Sequence, residues 1–124
     1  MGDRIETFEQ LEAWKPAREV ARFVYAAFRR ATASQDFGLR DQAQTAAVSA
    51  MTNIAEGFER VRSANKLLLQ NIARASCGEV RSLSYVMFDA DYVSAEEQQE
   101  LLSLAARTGR LAPGLLCSTR ARTA

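Results

Sequence analysis

The sequence contains no histidine among its 124 residues. Histidine is the usual general base near neutral pH, and it completes the serine and cysteine catalytic triads. Its absence also removes the Glu-x-x-His ligand pairs of di-iron helical bundles. The few glycines stand singly, without the spacing or the lysine of a phosphate-binding loop. We therefore expect a protein that is not an enzyme and that has no cofactor and no metal.

Residues that interrupt helices are scarce too, since there are two prolines and six glycines. This scarcity favours long helices over a many-stranded sheet. A chain of 124 residues with 48% hydrophobic content fits a single domain with its own core.

Cysteine is rare, and long apolar runs are missing. Cys77 and Cys117 are far apart, have no neighbouring ligands and follow no secretory segment, so we expect free thiols in the cytoplasm. A disulfide between them is the alternative. No run approaches the roughly 18 apolar residues of a membrane helix, which predicts a soluble protein with no membrane partner.

The charges nearly cancel, with 16 basic and 15 acidic residues, but they are unevenly distributed. No acid follows Glu100, whereas four arginines do. Two interpretations are open: an ordinary solvated surface, or a basic patch for nucleic acid. Under the second, the candidate contacts are the basic residues of the first helix and of the turn after the second, namely Arg18, Arg22, Arg29, Arg30, Arg60, Arg62 and Lys66.

The apolar pattern predicts four helices. A lead-in segment over residues 1–14 contains the capping-box pattern Thr7–Gln10, and the first helix runs from Lys15 or Pro16 to Ala31. Its inner face comprises Ala17, Val20, Ala21, Val24 and Phe28. After a turn at residues 34–38, the second helix covers 39–58 and packs through Ala43, Ala46, Ala47, Ala50, Ile54 and Phe58.

The third helix, capped by Ser63 and reaching Asp91, has two apolar lines. The first, taken as the inner seam, comprises Leu68, Ile72, Ala75, Leu83, Val86 and Ala90. The second comprises Leu69, Ala73, Val80 and Met87. So wide an apolar arc indicates self-association or, alternatively, a deeply central helix in a monomer.

A second capping box over residues 94–97 starts the fourth helix, which Pro113 and Gly114 kink or end. Its inner face comprises Leu101, Leu104, Ala105, Leu111 and Leu115. Short loops between four helices predict an all-α, antiparallel up-down four-helix bundle over residues 15–117. Residues 118–124 form a flexible basic tail.

Several polar residues fall on apolar helix faces. Ser49, Asn53 and Glu56 share one face of the second helix, and Glu79 interrupts the seam of the third. A carboxylate buried alone costs several kcal/mol, so Glu79 needs a partner. We predict an internal polar network that fixes helix register, formed by Gln42, Ser49, Asn53, Glu56, Ser76 and Glu79. A small-molecule or metal pocket around Glu56 and Glu79, or plain solvent exposure, is the alternative.

Residues 39–57 resemble the pattern L-x-x-Q-x-R-R-A-A-x-S-x-x-x-N-I-A-E-G of a known family. The matching positions are Leu39, Gln42, Ala46, Ala47, Ser49, Asn53, Ile54, Ala55, Glu56 and Gly57. Further likeness lies in Ala75, Ser76 and Glu79, and in Tyr92-Val93-Ser94. The family comprises proteins encoded in intervening sequences of bacterial large-subunit rRNA genes, and the resemblance extends from about Phe8 to Leu116.

The resemblance implies an up-down bundle that assembles into a ring-shaped homopentamer, of largely unassigned role. One branch, the accessory variability protein of diversity-generating retroelements, forms a basic pentamer that binds nucleic acid. The family's paired arginines are Gln44 and Thr45 here. Either those arginines contact phosphates in relatives, or they are structural partners of Glu56 and Glu79.

Two functions therefore remain open from the sequence. The leading hypothesis is a non-enzymatic pentameric scaffold whose basic surface binds RNA or DNA. The alternative is a protein-protein interaction module without nucleic-acid binding.

Overall fold

Four helices make up most of the computed structural model, which describes residues 4–113. They are α1 (Trp14–Ala27), α2 (Phe37–Glu59), α3 (Ser63–Asp89) and α4 (Ala95–Leu111). Short 3-10 helices cover Phe8–Gln10 and Ala33–Gln35, and this range contains no strand. The all-α prediction with four helices is confirmed. None of the helices in the described range is long and apolar enough to cross a membrane.

Each helix packs against two others. Both α1 and α3 contact α2 and α4. Residues 60–62 join α2 to α3, and residues 90–94 join α3 to α4. Connections this short make consecutive helices antiparallel neighbours, which is the arrangement of an up-and-down bundle.

The core of α1 and α2 is the one that their apolar periodicity predicts. All five predicted inner residues of α1 and all six of α2 are buried. Ala47 and Ala50 are completely buried, and their small side chains allow neighbouring helices to approach α2 closely. The helix runs through Gly57 to Glu59 without a break.

The lead-in segment closes one end of the bundle. Leu11 and Ala13 are buried in a cluster with residues of α1 and α2, and the Phe8 ring meets the Trp14 ring edge-on at 5.2 Å. The predicted turn is the 3-10 helix Phe8–Gln10, in which the Gln10 side chain accepts from the backbone N–H of Thr7 at 3.2 Å. Pro16 lies in the first turn of α1, as expected.

The predicted end of α1 at Ala31 is wrong, because the helix ends at Ala27. The backbone N–H groups of Arg29 and Arg30 donate three residues back, to Ala26 and Ala27, so the chain tightens after the helix. Arg30 is held there by contacts with the α3–α4 connection and α4. A tertiary contact that no local pattern encodes therefore sets this boundary.

The choice of inner face on α3 is also wrong for the single chain. The buried line is Leu69, Ala73, Val80 and Met87. Of the predicted seam, Leu68, Ile72 and Val86 are exposed by 58%, 38% and 48%. Two small polar residues, Ser76 and Ser84, are buried on the same face and make this line less apolar in the sequence than its neighbour.

Side chains and backbone turns mark most helix ends. Asp36 accepts from the backbone N–H of Leu39 and caps α2, and the Ser94–Glu97 capping box starts α4 as predicted. Ser63 is not a cap, because the N-cap of α3 is Arg62, without a side-chain bond. The fourth helix ends at Leu111, before Pro113. Leu115, Cys117 and the predicted tail 118–124 lie outside the described residues.

Candidate functional site

The basic residues predicted as one patch are separated by the fold. Lys66 is only 4% exposed, and its Nζ donates to the backbone carbonyls of Gly57 and Phe58, both at 3.1 Å. Carbonyls at a helix C-terminus lack helical partners, so a buried ammonium group there acts as a cap. Lys66 is therefore a structural cation in this chain, and its assignment to an exposed nucleic-acid surface is wrong.

Arg30 also forms hydrogen bonds and an ion pair within the fold. Its guanidinium donates to the Tyr92 carbonyl at 2.8 Å and forms a two-pronged ion pair with Glu97. Hydrogen bonds from Arg30 and from the Ser94 backbone lower the pKa of Glu97 to about 2, and the same pair raises the pKa of Arg30. Arg30 thus ties the α1–α2 connection to the α3–α4 connection and the start of α4, and it is not a free phosphate contact.

Arg18, Arg22 and Arg29 line one groove between α1 and α2. The groove has a volume of about 660 Å³, and its other lining residues are Trp14, Ala21, Tyr25, Ala26, Val48 and Met51. The Arg18 guanidinium lies 5.9 Å from the centre of the Trp14 ring, within cation–π range. Arg22 pairs with Glu19 at 3.6 Å on the surface. Arg29 has no ion-pair partner within residues 4–113.

A second, more polar hollow of about 460 Å³ continues this groove along α2. The two share Tyr25 and Val48, and the second adds Asp41, Gln44, Thr45, Ser49, Thr52 and Asn53. Gln44 and Thr45, where the family pattern has arginines, therefore lie on the same side of the bundle as the arginine-lined groove. Twelve residues of helix, about 18 Å, separate Gln44 from Glu56. A pairing of position 44 with Glu56 is excluded by that distance.

Arg60 and Arg62 lie in the α2–α3 connection, and both are exposed. Arg60 shares a shallow hollow of about 320 Å³ with Glu56 and Glu59. This hollow carries mixed charge, unlike the α1–α2 groove.

The polar residues of α2 and α3 form a smaller cluster than the six predicted. The hydroxyls of Ser49 and Ser76 are hydrogen-bonded at 2.8 Å, and Asn53 Nδ2 donates to the carbonyl of Ser49 at 2.8 Å and to its Oγ at 3.1 Å. Because Asn53 supplies a proton to Ser49 Oγ, the Ser49 hydroxyl can donate to Ser76 across the helix interface.

Gln42, Glu56 and Glu79 lie outside that cluster and are exposed. The expected burial of Glu79 is wrong for the single chain, because the face of α3 that carries it points outward. Glu56 lines the hollow that it shares with Glu59 and Arg60, and Glu79 is not part of that lining. Within residues 4–113, no group of three or more His, Cys, Asp and Glu side chains is placed to hold a metal ion.

Glu79 lies within an apolar stripe on the outer side of α3. Leu68, Ile72, Ala75 and Val86 share its exposed face, with half-buried Leu83 beside them. Leu68 and Val86 are about 27 Å apart along the helix. This outer face of α3, defined by Leu68, Ile72, Ala75, Glu79 and Val86, is the sequence-predicted seam, and no other helix within residues 4–113 covers it.

Sequence reasoning missed a second arginine cluster. Arg74 and Arg81 on α3 and Arg110 on α4 line a small groove between the two helices. The seven-residue spacing of Arg74 and Arg81 puts them on one helix face. The sequence also shows that Arg110 lies in a part of the chain, after Glu100, that contains no acid. Only the register of α3 against α4 brings the three together.

Comparison with protein families agrees with the helical architecture. The family model described as 23S rRNA-intervening sequence protein matches residues 9–113, which include all four helices. No curated protein matches the chain. The chain belongs to the 23S rRNA-intervening sequence protein family.

Proposed function

We propose that this protein is a non-enzymatic helical scaffold of the cytoplasm that forms a homo-oligomer and binds RNA or DNA along the α1–α2 groove. The observation that carries the proposal is the convergence of Arg18, Arg22 and Arg29 with Trp14 and Tyr25 in one groove. Guanidinium groups neutralise phosphates, and aromatic faces stack on unpaired bases.

The spacing of the three arginines suits a strand that runs along α1. Arg22 lies about 6 Å along the axis from Arg18, and Arg29 lies just beyond the end of α1 at Ala27. Tyr25, exposed by 40%, stands between Arg22 and Arg29. The Arg22–Glu19 pair is largely exposed on both sides and therefore easily exchanged for a phosphate. Three phosphate contacts predict a salt slope of about −2 to −3 per chain.

Gln44 and Thr45 are uncharged, and they line the hollow that continues this groove together with Asp41. If arginines at these positions contact phosphates in relatives, this chain has a slope shallower by about two units. Gln44→Arg with Thr45→Arg should then steepen the slope toward that of its relatives.

Assembly is supported by the outer face of α3. Three large apolar side chains there are between 38% and 58% exposed, and contiguous apolar surface of this kind marks interaction sites. A second copy would cover it, and the family resemblance suggests a pentameric ring. In such an interface Glu79 would be surrounded by apolar groups and would require a cation from the neighbouring copy.

The test is filter binding of single-stranded RNA and DNA oligonucleotides of one sequence to the full-length protein across a salt series. Replacement of Arg18, Arg22 and Arg29 by Gln should flatten the slope by about two units. Replacement of Arg74, Arg81 and Arg110 by Gln removes the same charge elsewhere and should leave the slope unchanged. Absence of binding at low salt, or an unchanged slope in the α1 variant, would contradict nucleic-acid binding by this groove.

The second candidate is a protein-protein interaction module, which the same outer face of α3 favours. The two functions differ in the surface that binds the partner: the α1–α2 groove would bind nucleic acid, whereas the outer face of α3 would bind a polypeptide. If charge removal in the groove has no effect while Ile72→Asp abolishes capture of a partner polypeptide, the interaction module is the better account.

A further inference from the structure

A small basic groove lies between α3 and α4. Its volume is about 260 Å³, and it is lined by three arginines and a floor of small residues: Arg74, Arg81, Arg110, Cys77, Ala105, Ala106 and Gly109. None of these arginines belongs to the α1–α2 groove. The two grooves thus offer separate basic surfaces.

The helix register brings the three arginines to the lining of one groove. Arg74 and Arg81 are two turns apart on the same face of α3, and Cys77 lies between them. A Cβ atom on Gly109 would lie 3.7 Å from the Cβ of Cys77, so α4 approaches α3 at this midpoint. Arg110 directly follows Gly109, so its backbone lies opposite the part of α3 between Arg74 and Arg81.

Within residues 4–113, no ion pair balances the positive charge of this groove. Some basic side chains of the described range do have acidic partners, such as Lys15 with Glu12 and Arg40 with Asp41. Arg74, Arg81 and Arg110 have none within residues 4–113, and residues 114–124 contain no Asp or Glu. Like charges that converge without a counter-charge repel, and a bound anion relieves that repulsion.

The floor of the groove adds no negative charge. Ala105 and Cys77 are buried, and burial raises the pKa of the Cys77 thiol to about 11, so it is neutral near pH 7. The lining contains no aromatic ring on which a base could stack. The volume is also below the range of roughly 300–1,000 Å³ typical of pockets for drug-sized ligands.

We propose that the groove between α3 and α4 binds a small, multiply charged phosphate anion through Arg74, Arg81 and Arg110. Guanidinium groups match phosphate oxygens with paired, charge-assisted hydrogen bonds, and two helices supply them from opposite sides. The anion neutralises the cluster and joins α3 to α4. This site is independent of nucleic-acid binding by the α1–α2 groove.

The experiment is isothermal titration of the full-length protein with pyrophosphate at constant ionic strength, with sulfate and inorganic phosphate as weaker competitors. Arg81→Gln and Arg110→Gln should each weaken pyrophosphate binding by about tenfold or more, the loss of a charge-assisted hydrogen bond. The control is Arg107→Gln, which removes one charge from the same helix outside the groove lining and should change the affinity by less than about threefold. Circular dichroism checks that each variant is folded.

Three results would overturn the proposal. One is the absence of saturable pyrophosphate binding by the wild-type protein. The second is equal weakening by Arg107→Gln and Arg81→Gln, which would indicate diffuse charge only. The third concerns the source of the phosphate: if the triple variant of Arg74, Arg81 and Arg110 loses oligonucleotide binding but not pyrophosphate binding, the groove contacts a nucleic-acid backbone.

Discussion

Arg30 and Glu97, which are 67 residues apart in the sequence, form a two-pronged ion pair at one end of the bundle. Arg30 also donates to the Tyr92 carbonyl, and the Tyr92 hydroxyl donates to Asp36 at 2.9 Å, which raises the pKa of Tyr92. The connection between α1 and α2 is thereby tied to the connection between α3 and α4. This contact fixes where α1 ends.

Glu97→Gln should destabilise the protein in a pH-dependent way. Because the folded-state pKa of Glu97 is about 2, below its ordinary 4.5, its charge contributes stability above pH 4.5 that is lost as the pH falls towards 2. The pair is partly exposed, so we expect about 1 kcal/mol at pH 7, or roughly 4 °C in Tm. The Tm difference between wild type and variant should shrink between pH 4.5 and 2.

Glu96→Gln is the matched control for that experiment, since Glu96 is an exposed residue of the same helical turn. It should show a smaller and nearly constant Tm difference. Scans are made at one protein concentration, because an oligomer makes Tm concentration-dependent. A difference for Glu97→Gln that persists undiminished at pH 2 would contradict the ion-pair explanation.

Lys66→Met should lower stability without removing a nucleic-acid contact. The substitution keeps the apolar stem but leaves the carbonyls of Gly57 and Phe58 without their donor, which costs about 1–3 kcal/mol. Urea unfolding measures the loss, with exposed Arg62→Met as control. A stable variant whose oligonucleotide affinity has fallen would restore Lys66 as a phosphate contact.

The hydroxyl pair of Ser49 and Ser76 should couple α2 to α3. Ser76→Ala leaves the Ser49 hydroxyl without its hydrogen-bond partner on α3 and should cost about 1 kcal/mol. A double-mutant cycle with Ser49→Ala should give a coupling energy of about 0.5–1.5 kcal/mol. Exposed Ser82→Ala serves as the control on the same helix. Strict additivity of the two serine changes would show that the bond contributes nothing.

Asp91→Gly should stabilise the protein. Asp91 has a φ of 64°, and backbone bonds from Asp91 to Phe88 and from Tyr92 to Met87 close the end of α3 around it. This is a Schellman turn, in which glycine avoids the cost of the left-handed conformation, about 1 kcal/mol. Asp89→Gly, within α3, should have the opposite sign. A lower denaturation midpoint for Asp91→Gly would contradict this interpretation.

The sequence was sufficient to predict that there are four helices and which faces of α1 and α2 are buried. Ala47, Ala50 and Ile54 recur at helical spacing, so the pattern on α2 predicts one buried face. On α3 two apolar lines compete, and the buried one contains Ser76, whose hydroxyl bonds to Ser49 of α2, and Ser84, whose hydroxyl donates to the Arg81 carbonyl of the same helix. Periodicity does not separate such lines, because a serine whose hydroxyl is satisfied by a hydrogen bond can be buried although it counts as polar in the sequence.

The candidate site was predictable only in part, for the same reason. The α1 arginines lie where their spacing places them. Lys66 and Arg30 are indistinguishable from exposed cations in the sequence, yet one caps α2 and the other pairs with Glu97. The arginines between α3 and α4 converge through a helix register that no local pattern contains.

The central claim is that a second copy of the chain covers the outer face of α3. The native mass of the full-length protein, measured by multi-angle light scattering, tests it most directly. We expect several times the 13.7 kDa of one chain, close to five copies for a ring. Ile72→Asp should lower that mass, whereas Val61→Asp, in the exposed α2–α3 turn, should leave it unchanged. A wild-type mass of 13.7 kDa at tens of micromolar would contradict the claim.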